Sequence, residues 1–267
     1  MDKNQKEFTR HLSDMNIKNV KKLLNENHDL KVCIENGVVF FAIRSKDDSC
    51  VDLYFEGSRL ARVKPKTIIW HNNSSNYDMA KKMISSYPYD KERAELALLY
   101  KKYSPFNKEN KIILLDIEVG FPRIIKDSKV VNNNIQIDLL FLDRKKQKCV
   151  FVEAKKAGDS RINKRNATYS KLEISEQMDK YKRNLLIHED NIKKAYNNYI
   201  NIINTVFGCN VVEIPDKISL DLEPKLLIYG KLSDDGVICK NLIEKALKKD
   251  NLIVSDSIDE FNAEEIF

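Results

Sequence analysis

The stretch IQIDLLFLDRKKQKCVFVEAKK, residues 135–156, decides how this 267-residue chain is read. Ile135 to Leu142 is apolar at nearly every position except Gln136 and Asp138, and Cys149 to Val152 is a second apolar run that stops at Glu153. Short apolar runs of this kind read as buried strands. The polar DRKKQK between them, residues 143–148, reads as their connection, so a hairpin is expected that sets Asp138 beside Glu153 and Lys155. A carboxylate in a buried strand is costly unless something compensates it. Two converging carboxylates raise each other's pKa, and a divalent cation such as Mg²⁺ between them removes the conflict. Period-two geometry puts Glu153 and Lys155 on one strand face, which brings the ammonium beside the metal site. Ala154 points the other way, while its backbone carbonyl can still face the ion.

Context separates this Glu-x-Lys from the others in the chain. The triplet recurs at Glu109-Asn110-Lys111 and Glu223-Pro224-Lys225, but neither follows an apolar strand paired with an upstream Asp in another one. The competing reading of Asp138 and Glu153 is a pair of edge-strand charges facing water. From Lys155 to Lys171 the chain then carries Lys155, Lys156, Arg161, Lys164, Arg165 and Lys171 against the single acid Asp159. A run of like charge is usually a solvated loop; beside a carboxylate cluster it reads as a phosphate clamp.

Composition bounds the class. With 42% hydrophobic residues the chain can bury a substantial core, and its net charge of +6 permits nucleic-acid binding without requiring it. No run approaches the ~18 apolar residues of a membrane span, and MDKNQKEFTRH lacks the apolar segment of a signal peptide, so a cytoplasmic protein with no membrane partner is expected. The five cysteines (33, 50, 149, 209, 239) are scattered and form no Cys-x-x-Cys, which argues against disulfide frameworks and zinc sites. The four histidines (11, 28, 71, 188) show no metal spacing and are expected to be exposed and neutral.

Three regions are expected. Residues 1–85 read as a small N-terminal α+β domain: one or two short helices carrying Phe8, Leu12, Met15, Val20, Leu23 and Leu24, then a β meander with hairpin turns at Asn36-Gly37 and Glu56-Gly57. TIIWHNNSSNYD, residues 67–78, reads as a boundary. Residues 86–250 read as helix, three strands, two helices and a strand, with a last helix over 237–249. Asp90 is the expected cap of the first of these helices, and one helix is expected to end near Leu185 and another to follow from His188 to Gly208. Residues 251–267, rich in acids and without a base, read as an exposed, disordered tail, with a weaker option that they fold over the basic loop.

The Asp138, Glu153 and Lys155 set on this helix–strand order resembles the PD-(D/E)XK nuclease superfamily, with Ile137 where the name would place proline. Gln177-Met178-Asp179-Lys180-Tyr181 on the next helix resembles the QxxxY element of the RecB-like branch; Gln177 and Tyr181, at i and i+4, share a helical face. The resemblance covers roughly residues 88–232. It implies an α/β (α+β overall) fold with a restriction-endonuclease-like αβββαβ core, a mixed central sheet and an inserted helix. It also implies a Mg²⁺- or Mn²⁺-dependent nuclease, most simply a DNA endonuclease of restriction, phage defence or repair. Asp138, Glu153 and the Ala154 carbonyl would hold the metal. Lys155, Gln177 and Tyr181 would complete the catalytic set, and Lys156, Arg161, Lys164, Arg165 and Lys171 would bind nucleic acid. Members of the branch often add an acid from the preceding helix; Glu95 is the choice here, with Glu92 and Glu118 as alternatives. A catalytically silent binding module and an interaction subunit of a larger assembly are the rival readings, and residues 1–85 offer a surface for a homodimer or partner.

Overall fold

In a computed structural model the described residues are 7–43, 50–86, 91–122, 125–126, 129–130, 135–162, 168, 172–212, 217–247 and 249–267. Helix α1 (Asp14–Glu26) starts at Ser13, whose hydroxyl accepts the Asn16 N–H, and buries Val20 and Leu24 one turn apart. Phe8 and Leu12 are buried in the extended segment before it, and Met15 is exposed. The hairpin expected at Asn36-Gly37 is instead the end of a helix, α2 (His28–Glu35). Leu30 and Ile34 are its buried face, and Gly37, at φ +70°, continues the chain in the left-handed conformation that so often ends a helix.

Strands β1 (Phe40–Ala42), β2 (Val51–Phe55), β3 (Ser58–Lys64) and β4 (Thr67–Trp70) form an antiparallel sheet in that order. Its Glu56-Gly57 turn, at φ +48° and +76°, matches the expected hairpin. The segment read as a boundary supplies β4, a 3₁₀ turn over His71–Asn73 and the start of helix α3 (Tyr77–Ser86).

Helix α4 (Lys91–Lys102) leads to β5 (Ile112–Gly120), and the two-residue strands β6 (Ile125–Lys126) and β7 (Lys129–Val130) pair with each other. Then follow β8 (Gln136–Asp143), β9 (Lys148–Lys156), helix α5 (Glu173–Phe207), β10 (Ser219–Leu220), β11 (Lys225–Tyr229), helix α6 (Asp234–Ala246) and β12 (Leu252–Ser255). The molecule is mixed α/β, with six α-helices among the described residues and a mixed central sheet ordered β12-β11-β9-β8-β5. Strand β8 runs antiparallel to both its neighbours, β5 and β9, and β11 and β12 extend the sheet in parallel with β9.

Alternation along β9 separates two hydrophobic layers. Cys149 and Phe151 pack in the layer that contains α5, and Val150, Val152 and Ala154 in the layer with Leu96, Leu99 and Tyr100 of α4. The two helices expected after the hairpin are one helix of 35 residues. Its buried stripe, Ile174, Met178, Tyr181, Leu185, His188, Ile192, Ala195, Tyr199, Ile203 and Val206, runs in steps of three and four through the polar HEDN segment, and no Gly or Pro interrupts it before Gly208. His188 is thus 2% exposed rather than solvent-facing.

One further expectation changes. The acid-rich C-terminal segment is packed, not disordered: β12 extends the sheet, and Ile258, Phe261, Ala263 and Ile266 are buried against the α4 layer while the acids between them face out. Side-chain contacts cross residue 85, buried for the aromatic residues and exposed for Lys21. Phe8 stacks on Phe121 at 5.3 Å and lies 5.8 Å from Tyr196, the Tyr199 hydroxyl donates to the Phe41 carbonyl, and Lys21 reaches the Thr205 carbonyl at 2.9 Å.

Candidate functional site

The hairpin forms as expected, with Leu139 opposite Val152, so Asp138 is the next residue out and lies beside Glu153. Asp138 Oδ2 accepts the Ala154 N–H at 2.9 Å, which locks the carboxylate to the neighbouring backbone. Lys155 Nζ then donates to Asp138 Oδ2 at 3.3 Å, to the Ala154 carbonyl at 3.0 Å and to Glu153 Oε1 in a short ion pair. The ammonium and the Glu153 carboxylate are almost wholly buried, and Asp138, at 21% side-chain exposure, is the opening to solvent.

Helix α5 closes the site from the same face. Gln177 Nε2 donates to Glu153 Oε1 at 2.7 Å and to the Tyr181 hydroxyl, which in turn donates to the Gln136 carbonyl at 2.8 Å. Both side chains lie within the first three turns of α5, one turn apart, which is why they reach a single carboxylate. Asp138, Glu153, Lys155, Gln177 and Tyr181, read separately from sequence, form one connected cluster. The Gln136 carbonyl that anchors Tyr181 was not foreseen, because a backbone acceptor leaves no residue-type signal.

The electrostatics follow from this burial. Burial first, and Asp138 second, push the Glu153 carboxyl up to about 7, with Lys155 pulling it back. Burial alone would lower the Lys155 ammonium, but Asp138 and Glu153 outweigh it and the net shift is upward. Burial and then the Glu153 charge raise the Tyr181 hydroxyl. The second oxygen, Glu153 Oε2, is buried with no hydrogen-bond partner among the described residues. A buried acceptor without a donor is an expensive arrangement that a cation would relieve. Among the described residues no three Asp, Glu, His or Cys side chains converge in a metal-binding group. The residues of this cluster that could hold a divalent ion are Asp138 and Glu153, with the Ala154 carbonyl.

Glu95, expected as a third metal ligand, is not brought to this cluster. Helix α4 packs on the other face of β9, so Glu95 meets Lys156 at 2.7 Å and the Tyr229 hydroxyl at 3.2 Å. Glu118, at φ +53° in β5, turns to Arg93 at 2.6 Å. The Glu92 side chain lies outside the described residues, as do Asp90, Lys164, Arg165 and Lys171 of the expected cap and phosphate clamp. Of the clamp residues that are described, Lys156 is held by Glu95 and Arg161 by Asp159. No helix among the described residues is long and apolar enough to cross a membrane. Comparison with protein-family models, with curated proteins and with solved structures gave no match for this chain.

Proposed function

We propose that this chain is a Mg²⁺- or Mn²⁺-dependent nuclease of PD-(D/E)XK type that hydrolyses phosphodiester bonds, with DNA as its expected substrate. One observation carries the reading: a buried ammonium, Lys155 Nζ, lies within hydrogen-bond reach of the same three groups, Asp138, Glu153 and the Ala154 carbonyl, that would hold the ion. Oxygens that gather one cation are arranged for positive charge, and the orphaned Glu153 Oε2 adds an unused ligand position. The order α4, β5, β8, β9, α5, β11 around a mixed sheet supports a restriction-endonuclease-like core, and the Gln177–Tyr181 pair on Glu153 supports the RecB-like branch.

Bound there, a divalent ion would polarise a phosphoryl oxygen and lower the pKa of the attacking water. Lys155 offsets the charge that builds on the phosphoryl oxygens and orients that water. Gln177 holds Glu153 Oε1 and leaves Oε2 for the ion, while Tyr181 fixes the Gln177 amide. The setting that suits such an enzyme is restriction, phage defence or repair in the cytoplasm. The test is cleavage of labelled single- and double-stranded DNA and RNA with Mg²⁺, Mn²⁺ or EDTA. Metal-dependent cleavage that disappears in Asp138→Ala is expected; a folded wild-type protein that cuts none of these substrates with either metal overturns the proposal.

A further inference from the structure

The N-terminal sheet carries a cleft of about 690 Å³ lined by residues of β3 and β4 and by Arg93 of α4. Cross-strand register sets its floor: Tyr54 lies opposite Arg59, Arg62 opposite both Asp52 and Ile69, and Lys64 opposite Thr67. Arg59 and Lys64 are exposed. Arg62 and Arg93 are held in place from behind, Arg62 by a two-pronged bond to Asp52 at 2.7 and 2.8 Å and Arg93 by Glu118 at 2.6 Å. Glu56 is the one acid among the described lining residues. The Glu56-Gly57 turn is wedged against α4 so tightly that a Cβ at Gly57 would come within 2.6 Å of the Arg93 Cβ, which fixes the two walls relative to each other.

We propose that this cleft is the docking surface for a single-stranded nucleic acid. The ligand's identity rests on the nuclease reading; the surface itself rests on its own charge and shape. Two exposed cations, Arg59 and Lys64, complement a phosphate backbone, while the charges of Arg62 and Arg93 are offset by Asp52 and Glu118. The half-buried Tyr54 ring and the exposed Ile69 offer the apolar floor on which an unpaired base can lie, which a paired duplex does not present. Glu118, which holds Arg93, sits between Ile117 and Val119, whose partners on β8 are Leu139 and Ile137, so the cleft's Arg93 side abuts the central sheet on its α4 face, the face opposite the one that carries Gln177 and Glu153.

The only tryptophan of the chain, Trp70, lines the cleft and reports on it. The experiment titrates full-length protein in EDTA, where no cleavage occurs, with oligothymidylate and oligouridylate and follows Trp70 fluorescence. A saturable change is expected, weakened at least tenfold in the Arg59→Glu/Lys64→Glu double variant, with the slope of log affinity against log salt reduced by about 1.4 for two lost single-strand phosphate contacts. Unchanged affinity in a double variant that melts like wild type overturns the proposal. So does equal affinity for a duplex, or equally strong competition by polyglutamate, which would make the cleft a seat for acidic protein. The two readings fail separately: strand binding that needs Arg59 and Lys64 without any cleavage removes only the nuclease, and cleavage by a protein whose strand affinity is indifferent to both residues removes only the cleft.

Discussion

Arg10 and Asp116, 106 positions apart, form a two-pronged ion pair at 2.9 and 3.1 Å with both side chains almost wholly buried. The Tyr196 hydroxyl donates to the same Asp116 oxygen at 2.9 Å, and the guanidinium lies 4.7 Å from the centre of the Phe8 ring. Burial alone would lower the Arg10 guanidinium, but Tyr196 and Asp116 outweigh it and raise it overall. Removing one member of a buried pair strands the other charge, which costs roughly 3–5 kcal/mol. Arg10→Ala should lose stability on that scale in urea unfolding, and a loss below about 1 kcal/mol would mean that Asp116 finds another partner.

Lys155 is both a catalytic candidate and the cation that keeps Asp138 and Glu153 compatible in the absence of metal. Lys155→Met should therefore abolish cleavage and also lower the melting temperature in EDTA, with a stability loss of about 3 kcal/mol. Millimolar Mn²⁺ should restore more of that loss than it adds to wild type, because the ion replaces the missing positive charge. A variant that melts like wild type in EDTA, or gains no more from Mn²⁺, would contradict the three-oxygen cation site.

Tyr181→Phe keeps the buried ring and removes the hydroxyl that links Gln177 to the Gln136 carbonyl. The expected cost is about 1 kcal/mol of stability. If the hydroxyl positions Gln177 on Glu153, cleavage falls at least tenfold at saturating metal. Wild-type turnover in this variant would reduce Tyr181 to a core residue of the α5 stripe.

His188 provides a pH test away from the site. Burial lowers its pKa, and Nε2 has no hydrogen-bond partner among the described residues, so the folded state holds the ring neutral. The unfolded chain takes up a proton near pH 6.5, whereas the folded chain does so only at lower pH. Stability from this residue is thus present above about pH 6.5 and is lost as pH falls toward the folded value, by at most ~1.4 kcal/mol per pH unit. His188→Leu should flatten that part of the stability profile between pH 6.5 and 5; an identical profile would show that the imidazole is protonated in place.

Phe261 is 1% exposed and packs against Tyr103 at 6.2 Å and Phe141 at 5.8 Å between ring centres. Phe261→Ala should cost roughly 3–5 kcal/mol. Deleting residues 257–267 should lower the melting point and not raise activity. Increased cleavage by a stable truncation would revive a self-inhibitory role for the acidic segment.

The hairpin was legible because lone charges interrupt otherwise apolar strands, and the Gln177–Tyr181 pair because four residues make one helical turn. Other features were misread for physical reasons. Asn36-Gly37 signals positive φ, and a hairpin turn and a helix end both use it; the Leu30–Ile34 spacing decides for the helix. The polar segment His188–Asn191 looked like a break, yet a helix can carry such residues on its outer side while His188 joins the buried stripe. Glu95 was on the expected helix, but which face of β9 that helix covers depends on chain path and not on local sequence. The C-terminal acids hid an apolar set, Ile258, Phe261, Ala263 and Ile266, spaced too irregularly to read as helix or strand.

Helix α5 spans about 50 Å from its 35 residues. Its first turns grip Glu153 through Gln177, and its last turns touch Phe41 through Tyr199 and Lys21 through Thr205. No flexible tether joins these two contacts; a continuous hydrogen-bonded rod does. That rod acts as a ruler, and a one-residue insertion near its middle would rotate one end by about 100° relative to the other and break one set of contacts while sparing the second.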